Sequence, residues 1–440
     1  MIFEALVTFL AATRTTEYAT WWTGVRTFLP LLSAKRFSTV GGIDEREFIR
    51  QMDRCKSFGD TYWSDYWTAL AHEQLQRVDD ELERASLLEA RYAFFGRQSF
   101  PRPSSAVLAF LSRGAAAITQ TPPGVPIDPG RLHQDASGEE RSSSVAASSL
   151  LKAVAYLFVA AWPGHTPKRM EAYRACGELF DIVLDAVTPT INLTVERHRV
   201  ETNGEEVKVY ALFPNASTAG DGASVPGVLV TNGLEGTNVE SMATALRTQA
   251  VQLSASFFME MPGTYAYKQP LTRASSERIY GDVLSFIASH RLVDASRLGM
   301  MGVSFGGNCA ARMAVADKRL KAVVINGAPL ARSLGPLGSF GMPEILIRTL
   351  FSVLGARTLL GLKNDLRDIT PSRADIESIG CSVLAINGGD DTLISTQDTV
   401  DLAAWAPKSE LLLYPGDDHC AMGHMREQLE HGSQWIGGKL

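Results

Sequence analysis

The sequence predicts an α/β protein, a mostly parallel, doubly wound sheet preceded by a helical front part. Three observations carry this. Up to about Pro189, apolar residues recur at spacings of three and four, the period of an amphipathic helix. From about Leu193 onward, short runs that are apolar throughout alternate with helical stretches. Such strands, interleaved with helices, imply a parallel sheet covered on both faces. One of these strands, Leu298 to Met301, runs directly into a glycine–serine–glycine turn that opens a helix.

The front part, residues 1–192, is expected to be a helical domain. Its first stretch, MIFEALVTFLAATR, is apolar, but Glu4 interrupts it and no basic region precedes it. A secretory signal needs that basic region, and a membrane span needs about 20 apolar residues. The stretch therefore predicts a first helix or arm packed on the protein, with no membrane span. Asp60 to Gly96 carries Tyr62, Trp63, Tyr66, Trp67, Leu70, Leu75, Val78, Leu82, Leu87 and Leu88, one amphipathic face. The aromatic cluster within it reads as core. Ser148 to Trp162 is an alanine-rich helix stopped by Pro163-Gly164. A third helix runs from Lys168 to about Ala186. Between the first two blocks, Thr119 to Ser149 contains Pro122-Pro123-Gly124, Pro129-Gly130 and Ser142-Ser143-Ser144. That is loop chemistry with little to bury, and it predicts a mobile loop over 119–149.

Residues 193–440 form the second expected domain. Thr194 to Val200 and Val207 to Phe213 flank Asn203-Gly204, a hairpin signal. Strands follow at Val228 to Thr231, Ser256 to Met259, Leu298 to Met301, Val323 to Asn326, Val383 to Asn387 and Leu411 to Tyr414. Helices are expected at Ser241 to Leu253, at Ser276 to Ser289 and from Phe305. The insert at 330–373 lies between two strands. In a doubly wound sheet such an insert sits above the strands' C-terminal edge, where ligands bind, so it reads as part of a lid.

Composition narrows the function. The 440 residues carry a formal net charge of -6 and are 45% hydrophobic. No basic stripe is present to neutralise phosphates, which argues against a nucleic-acid partner. Five scattered cysteines without a CxxC pair argue against a disulfide framework and a zinc site. A reducing, cytoplasmic setting is the simplest reading.

The chemistry is expected at Gly302-Val303-Ser304-Phe305-Gly306-Gly307. Gly-x-Ser-x-Gly between a strand and a helix is the nucleophile elbow of the α/β-hydrolase fold, a turn too tight for side chains at the glycines. Ser304 is the candidate nucleophile, and a serine hydroxyl needs a base. His419, just after the last strand, is the candidate, with His424 and His431 as rivals in the final helix. The acid should follow the preceding strand and hold the imidazole's tautomer. Counted from Gly388, the G-x-x-D spacing selects Asp391, and Asp390 is the rival. An oxyanion hole needs two backbone donors, each contributing about 3 kcal/mol. Phe305 follows the nucleophile, and Leu234 lies in the loop Asn232-Gly233-Leu234-Glu235-Gly236 after the strand VLVT. Glu235, Tyr265 and Tyr267 are candidate substrate contacts, with Glu240 and Glu260 as further acidic groups near the same edge.

Five motifs in order complete the picture: Asn232 to Thr237, Glu260-Met261-Pro262-Gly263-Thr264, Gly302 to Gly307, Asn387-Gly388-Gly389-Asp390-Asp391 and Gly416-Asp417-Asp418-His419. From about Val195 to the C-terminus they resemble a family of fungal polyketide-processing hydrolases, including the heptaketide-shortening hydrolase of melanin biosynthesis. Bacterial dihydroxypseudooxynicotine hydrolase is similar. The resemblance implies a triad on Ser304, Asp391 and His419, no metal or cofactor, and a helical N-terminal cap over the pocket. It implies a small, hydrophobic, polyketide-like substrate cleaved at an ester, thioester or carbonyl-flanked C–C bond. Acyl transfer or promoted cyclisation on the same triad is the alternative. A homodimer is among the assembly states it allows, since some relatives form dimers. Lys268, after Pro262 to Tyr267, departs from the family pattern.

Overall fold

The structure, a computed structural model, describes residues 2–87, 91–93, 99–132, 138–164, 166–202, 204–214, 224–248, 254–335, 338 and 340–440. The apolar runs become strands: β1 (Leu193–Thr202), β2 (Glu205–Pro214), β3 (Val225–Thr231), β4 (Ala255–Met259), β5 (Val293–Val303), β6 (Leu320–Asn326), β7 (Ser382–Gly388) and β8 (Ser409–Tyr414). Among the described residues they make one sheet in the order β1-β2-β4-β3-β5-β6-β7-β8. The β1–β2 and β2–β4 pairs are antiparallel, and every later pair is parallel. Every residue of β4 is buried, whereas the edge strand β1 is buried at its two ends and half-exposed or exposed between them. That contrast is what central and edge strands require. The hairpin forms as expected, with Asn203 of its turn outside the described residues.

Period-two alternation sorts the strand side chains between the two faces. Tyr210, Leu212 and Phe258 join the core built by the front helices. Val209, Ala211 and Phe257 face the helices Arg273–Ser289 and Phe305–Ala316. Towards β7, Val324, Leu384 and Ile386 pack on Ile436 of the last helix, Met425–Lys439.

In the front part, helix Asp60–Arg84 buries Trp63, Trp67, Ala71, Leu75, Val78 and Leu82, the stripe read from the sequence. The Trp63 indole N–H donates to the Val159 carbonyl at 2.7 Å, and the rings of Phe48 and Trp67 stack at 5.1 Å. The two tryptophans of the aromatic cluster are therefore core, while Tyr62 is exposed. Helix Pro167–Val187 follows. The first helix, Ile2–Thr13, buries Val7 and leaves Ile2, Phe3, Leu6 and Phe9 exposed.

The loop expected over 119–149 is corrected in its second half. Residues 133–137 lie outside the described residues, but from Gly138 the chain is helical and continuous to Ala161. Two serines of this stretch bond within the helix, Ser143 Oγ donating to the Glu140 carbonyl at 2.9 Å and Ser148 Oγ to that of Val145 at 3.0 Å, while Ser142 Oγ donates to the Glu81 carboxylate. Their small size also lets another segment approach, since a Cβ on Gly114 would lie 2.2 Å from the Ser143 carbonyl oxygen. Helix Gly138–Ala161 is long and apolar enough to cross a bilayer, yet 89% of its apolar window is buried in the protein, as a central core helix would be.

Arg247 ties the front part to the sheet. Its buried guanidinium donates to the carbonyls of Thr39, Thr121, Pro122 and Val125 at 2.6 to 2.9 Å. Burial pushes its pKa down to about 10.

Candidate active site

Four loops at the C-terminal ends of β3, β5, β7 and β8 converge, close to where the strand order reverses, as expected for a doubly wound sheet. Ser304 occupies the turn between β5 and helix Phe305–Ala316 with φ 55° and ψ -123°. A non-glycine residue in that region is uncommon and strained, and must be imposed by its surroundings. Here the Ser304 N–H is fixed on the Asn326 carbonyl at 2.7 Å. Close approach explains the glycines on either side. A Cβ on Gly302 would lie 2.2 Å from the Gly306 carbonyl oxygen, and one on Gly306 would lie 2.3 Å from that of Asn232.

His419 is brought to the serine by the loop after β8. Its Nε2 lies 2.9 Å from Ser304 Oγ, and its Nδ1 lies 2.8 Å from Asp391 Oδ2. The loop is held from two sides: the Thr392 N–H donates to Asp418 Oδ1 at 2.7 Å, and the Cys420 N–H donates to Asn387 Oδ1 at 2.9 Å. Asp391 is fully satisfied. Its Oδ1 accepts the N–H groups of Leu393 and Ile394 at 2.8 and 2.9 Å, and its Oδ2 also accepts the Asn387 amide at 2.9 Å. Burial acts to raise the Asp391 pKa, but the hydrogen bond and charge of His419, with the Ile394 and Asn387 donors, outweigh it and lower it. Burial acts against a charge on His419. Cys420 and Asp391 outweigh that effect, so the imidazole pKa is raised.

The rivals are placed elsewhere. Asp390 is exposed, its N–H on the Asp417 carbonyl at 2.9 Å. His424 pairs with Asp417 at 2.9 Å, and its ring stacks on Tyr414. His431 lies in the last helix.

A cavity of about 120 Å³ opens over Ser304 and His419. Leu234 and Phe305, the expected oxyanion donors, both line it. Phe305 is the first residue of its helix, so its N–H has no intrahelical acceptor. The loop carrying Leu234 lies directly against the nucleophile: a Cβ on Gly233 would be 2.6 Å from Ser304 Cβ. The insert 330–373 contributes the helices Glu344–Leu354 and Leu359–Asp368, and its Met342, Leu346 and Leu350 line the cavity. The front part supplies Leu32, Arg36 and Trp162. Sequence reasoning missed these three, because nothing local marks a residue 268 positions before the nucleophile as its neighbour.

The three expected substrate contacts do not line this cavity. Glu235 is fully buried, and its Oε2 accepts the Gly164 N–H at 2.7 Å. Tyr265 turns its hydroxyl onto the Glu235 carbonyl at 2.9 Å and stacks on Tyr173. The Tyr267 hydroxyl donates to the Glu260 carbonyl at 3.0 Å, and Tyr267 faces a separate cavity with Tyr173 and Glu260. All three sit at the correct sheet edge but point into the packing between the front helices and the sheet. Burial pushes the Glu260 carboxyl up to about 7, and it accepts the Tyr173 hydroxyl at 2.8 Å. Glu240 does line the Ser304 cavity, in a two-pronged pair with Arg36 at 2.6 and 2.8 Å.

A mostly parallel sheet with helices on both faces and a serine elbow after β5 defines the α/β-hydrolase fold. Solved structures agree. The structure of 2,6-dihydroxy-pseudo-oxynicotine hydrolase matches with a TM-score of 0.64 at 17% identity, covering 92% of this chain and 95% of its own. That of wild-type AbyA5 matches at 0.56 and 20%, covering 84% and 94%. The chain belongs to the FrsA-like esterase family, whose model matches residues 127–365. Esterase FrsA of Vibrio cholerae serotype O1 is 28% identical over 229 residues, 51% of this chain and 53% of its own length. Esterase FrsA of Vibrio vulnificus is 32% identical over 133 residues, 30% of this chain and 32% of its own. The chain thus spans about half the length of the first of these curated relatives and a third of the second.

Proposed function

We propose that this chain is a serine hydrolase that cleaves an acyl bond of a hydrophobic, oxygenated, polyketide-like substrate through an acyl-enzyme on Ser304. One observation carries the reading: the 2.9 Å Ser304–His419 and 2.8 Å His419–Asp391 contacts lie at the floor of a cavity. In this mechanism His419 Nε2 takes the hydroxyl proton as Oγ attacks the carbonyl carbon. The N–H groups of Leu234 and Phe305 hold the oxyanion. His419 then protonates the leaving group, and water repeats the sequence to release the acid. Asp391 keeps the proton on Nδ1, so that Nε2 can accept.

The substrate class rests on the cavity wall and on the resemblance of the motifs. Leu32, Trp162, Met342, Leu346 and Leu350 offer apolar surface, and the Arg36–Glu240 pair offers a polar point among them. In this reading residues 1–192 act as a cap over the catalytic part 193–440, and the insert 330–373 completes the lid. The bond cleaved is an ester, a thioester or a carbonyl-flanked C–C bond, all served by the same triad. A fluorophosphonate probe tests the mechanism, with the modified residue identified by peptide mass spectrometry. Modification at Ser304 is expected, as is loss of ester turnover in Ser304→Ala. Labelling elsewhere, or full turnover in that variant, overturns the reading.

A further inference from the structure

The loop after β3 contains a tight turn. The Gly236 N–H donates to the Gly233 carbonyl at 3.1 Å, and Glu235, third in that turn, has φ 60°. That is the left-handed position glycine or asparagine usually takes. A glutamate persists there only if its surroundings hold it. They do so from several sides. Its carboxylate accepts the Gly164 N–H at 2.7 Å, and its carbonyl accepts the Tyr265 hydroxyl at 2.9 Å and Arg36 Nη2 at 3.5 Å. Arg36 also grips Glu240 on the helix Asn238–Ala245, directly after the loop. Gly164 and Arg36 belong to the helical front part, and the turn they fasten carries Leu234. The packing leaves little slack, since a Cβ on Gly164 would lie 2.9 Å from the Tyr265 ring and 3.3 Å from Glu235 Oε2.

We propose that Glu235 is a positioning residue through which the helical front part holds the 233–236 turn, so that the Leu234 N–H is aimed at the oxyanion beside Ser304. The proposal rests on the serine-hydrolase reading and extends it from the reacting groups to what assembles one of them. An oxyanion donor works only within about 2.7–3.1 Å of the developing charge. Relaxing Glu235 to an ordinary right-handed conformation would flip the Leu234–Glu235 peptide and, through the turn it closes, shift the neighbouring Gly233–Leu234 peptide, whose N–H is the donor packed beside Ser304. Front-part docking and donor placement would then be one event.

The test compares Glu235→Gly, Glu235→Gln and Tyr265→Phe in the full chain. The readouts are kcat and KM on p-nitrophenyl esters, the rate of fluorophosphonate labelling at Ser304, and the melting temperature. Complete loss of an oxyanion donor costs about 10²–10³ in kcat. Glu235→Gly accepts the left-handed turn without strain but loses the grip on Gly164. It is expected to lower kcat by roughly 10- to 100-fold with KM within about threefold, and to slow labelling in parallel. Glu235→Gln keeps the acceptor and should retain at least about a third of wild-type kcat, since a neutral carbonyl can replace the carboxylate on one N–H. If Glu235→Gly turns over like wild type, the turn needs no clamp and the proposal is overturned. If Glu235→Gly does not fold, Tyr265→Phe decides: a lowered kcat at unchanged KM supports the proposal, and wild-type kcat overturns it. Failure of the wild-type protein to label at Ser304 would instead remove the serine-hydrolase reading itself.

Discussion

Replacing Asp391 by asparagine isolates the contribution of one proton's position. The structure fixes how the new amide must sit. Oδ1 of Asp391 accepts two backbone N–H groups, from Leu393 and Ile394, so the asparagine carbonyl must take that place. The flipped amide would set its own N–H groups against both donors, and each unsatisfied buried donor costs about 1–3 kcal/mol. The amide nitrogen therefore faces Asn387 Nδ2 and His419 Nδ1, which lie 2.9 and 2.8 Å from the present oxygen. Two donors cannot share the His419 contact, so the imidazole moves its proton to Nε2 and ceases to accept from Ser304. The expected loss is about 10⁴-fold in kcat, the scale for a triad held in the wrong tautomer. At 1.36 kcal/mol per decade this is about 5.4 kcal/mol of barrier. Steady-state ester hydrolysis measures it, with circular dichroism to establish an unchanged fold. Asp390→Asn serves as the comparison and should stay within about twofold, because surface substitutions of this kind change little. Retention of more than a tenth of wild-type kcat by Asp391→Asn, or a larger loss in Asp390→Asn, refutes the reasoning.

Further outcomes follow from three charged groups. The His419 pKa is raised, and the base form is the neutral one, so kcat/KM should rise with pH along a limb centred above the free-imidazole value of about 6.5. By linkage, the stability this proton confers is fully present below about 6.5 and is lost as pH rises through the folded pKa. A pH–rate profile centred at or below 6.5 would contradict that direction. The Asp391 pKa is lowered, so its contribution runs the other way, present above about 3.9 and lost as pH falls through the folded value. Arg247→Ala should destabilise the fold by about 2–5 kcal/mol in urea melts, because it strands the two buried carbonyls of Thr39 and Thr121 and removes the donors to the part-buried ones of Pro122 and Val125. A change below about 1 kcal/mol would mean that water replaces it without cost.

The sheet was legible because each strand announces itself locally. VLVT, SFFM and VVIN are short, apolar on both faces and bounded by turns, and nothing at long range has to be known to read them. The elbow was legible for the same reason: the two glycines and the serine share one turn, and that turn's sterics are written into five consecutive residues. His419 and Asp391 needed only the chain order and the ends of two predicted strands. Composition misled where one residue type serves two structures. Serines at 142–144 and 148–149 suit a loop, yet in helix Gly138–Ala161 the hydroxyls of Ser143 and Ser148 bond back to the preceding turn, that of Ser142 reaches Glu81, and the small volume of these residues admits a close neighbour. Periodicity was too weak there to overrule the polar surface of the side chains.

Glu235 marks the harder limit. Its place in the loop after β3 suggested contact with substrate, yet its side chain is turned away from the cavity over Ser304. Its carboxylate turns inward onto the backbone N–H of Gly164, 71 residues earlier. No local pattern encodes that meeting. One local clue was nonetheless available. In Gly233-Leu234-Glu235-Gly236 the third position of the turn takes a positive φ, and glycine would occupy it without strain. A charged residue at the strained position of a turn flanked by two glycines asks what compensates it. Here the compensation comes from the front helices, which also supply Arg36, Leu32 and Trp162 to the cavity. Ser304, Asp391 and His419 are thus encoded in the second half of the chain, while part of the wall of the cavity around them is encoded in the first. A sequence read element by element recovers the side chains at the strand ends sooner than the cavity around them, because that cavity is built by contacts between segments that have no short-range signature in common.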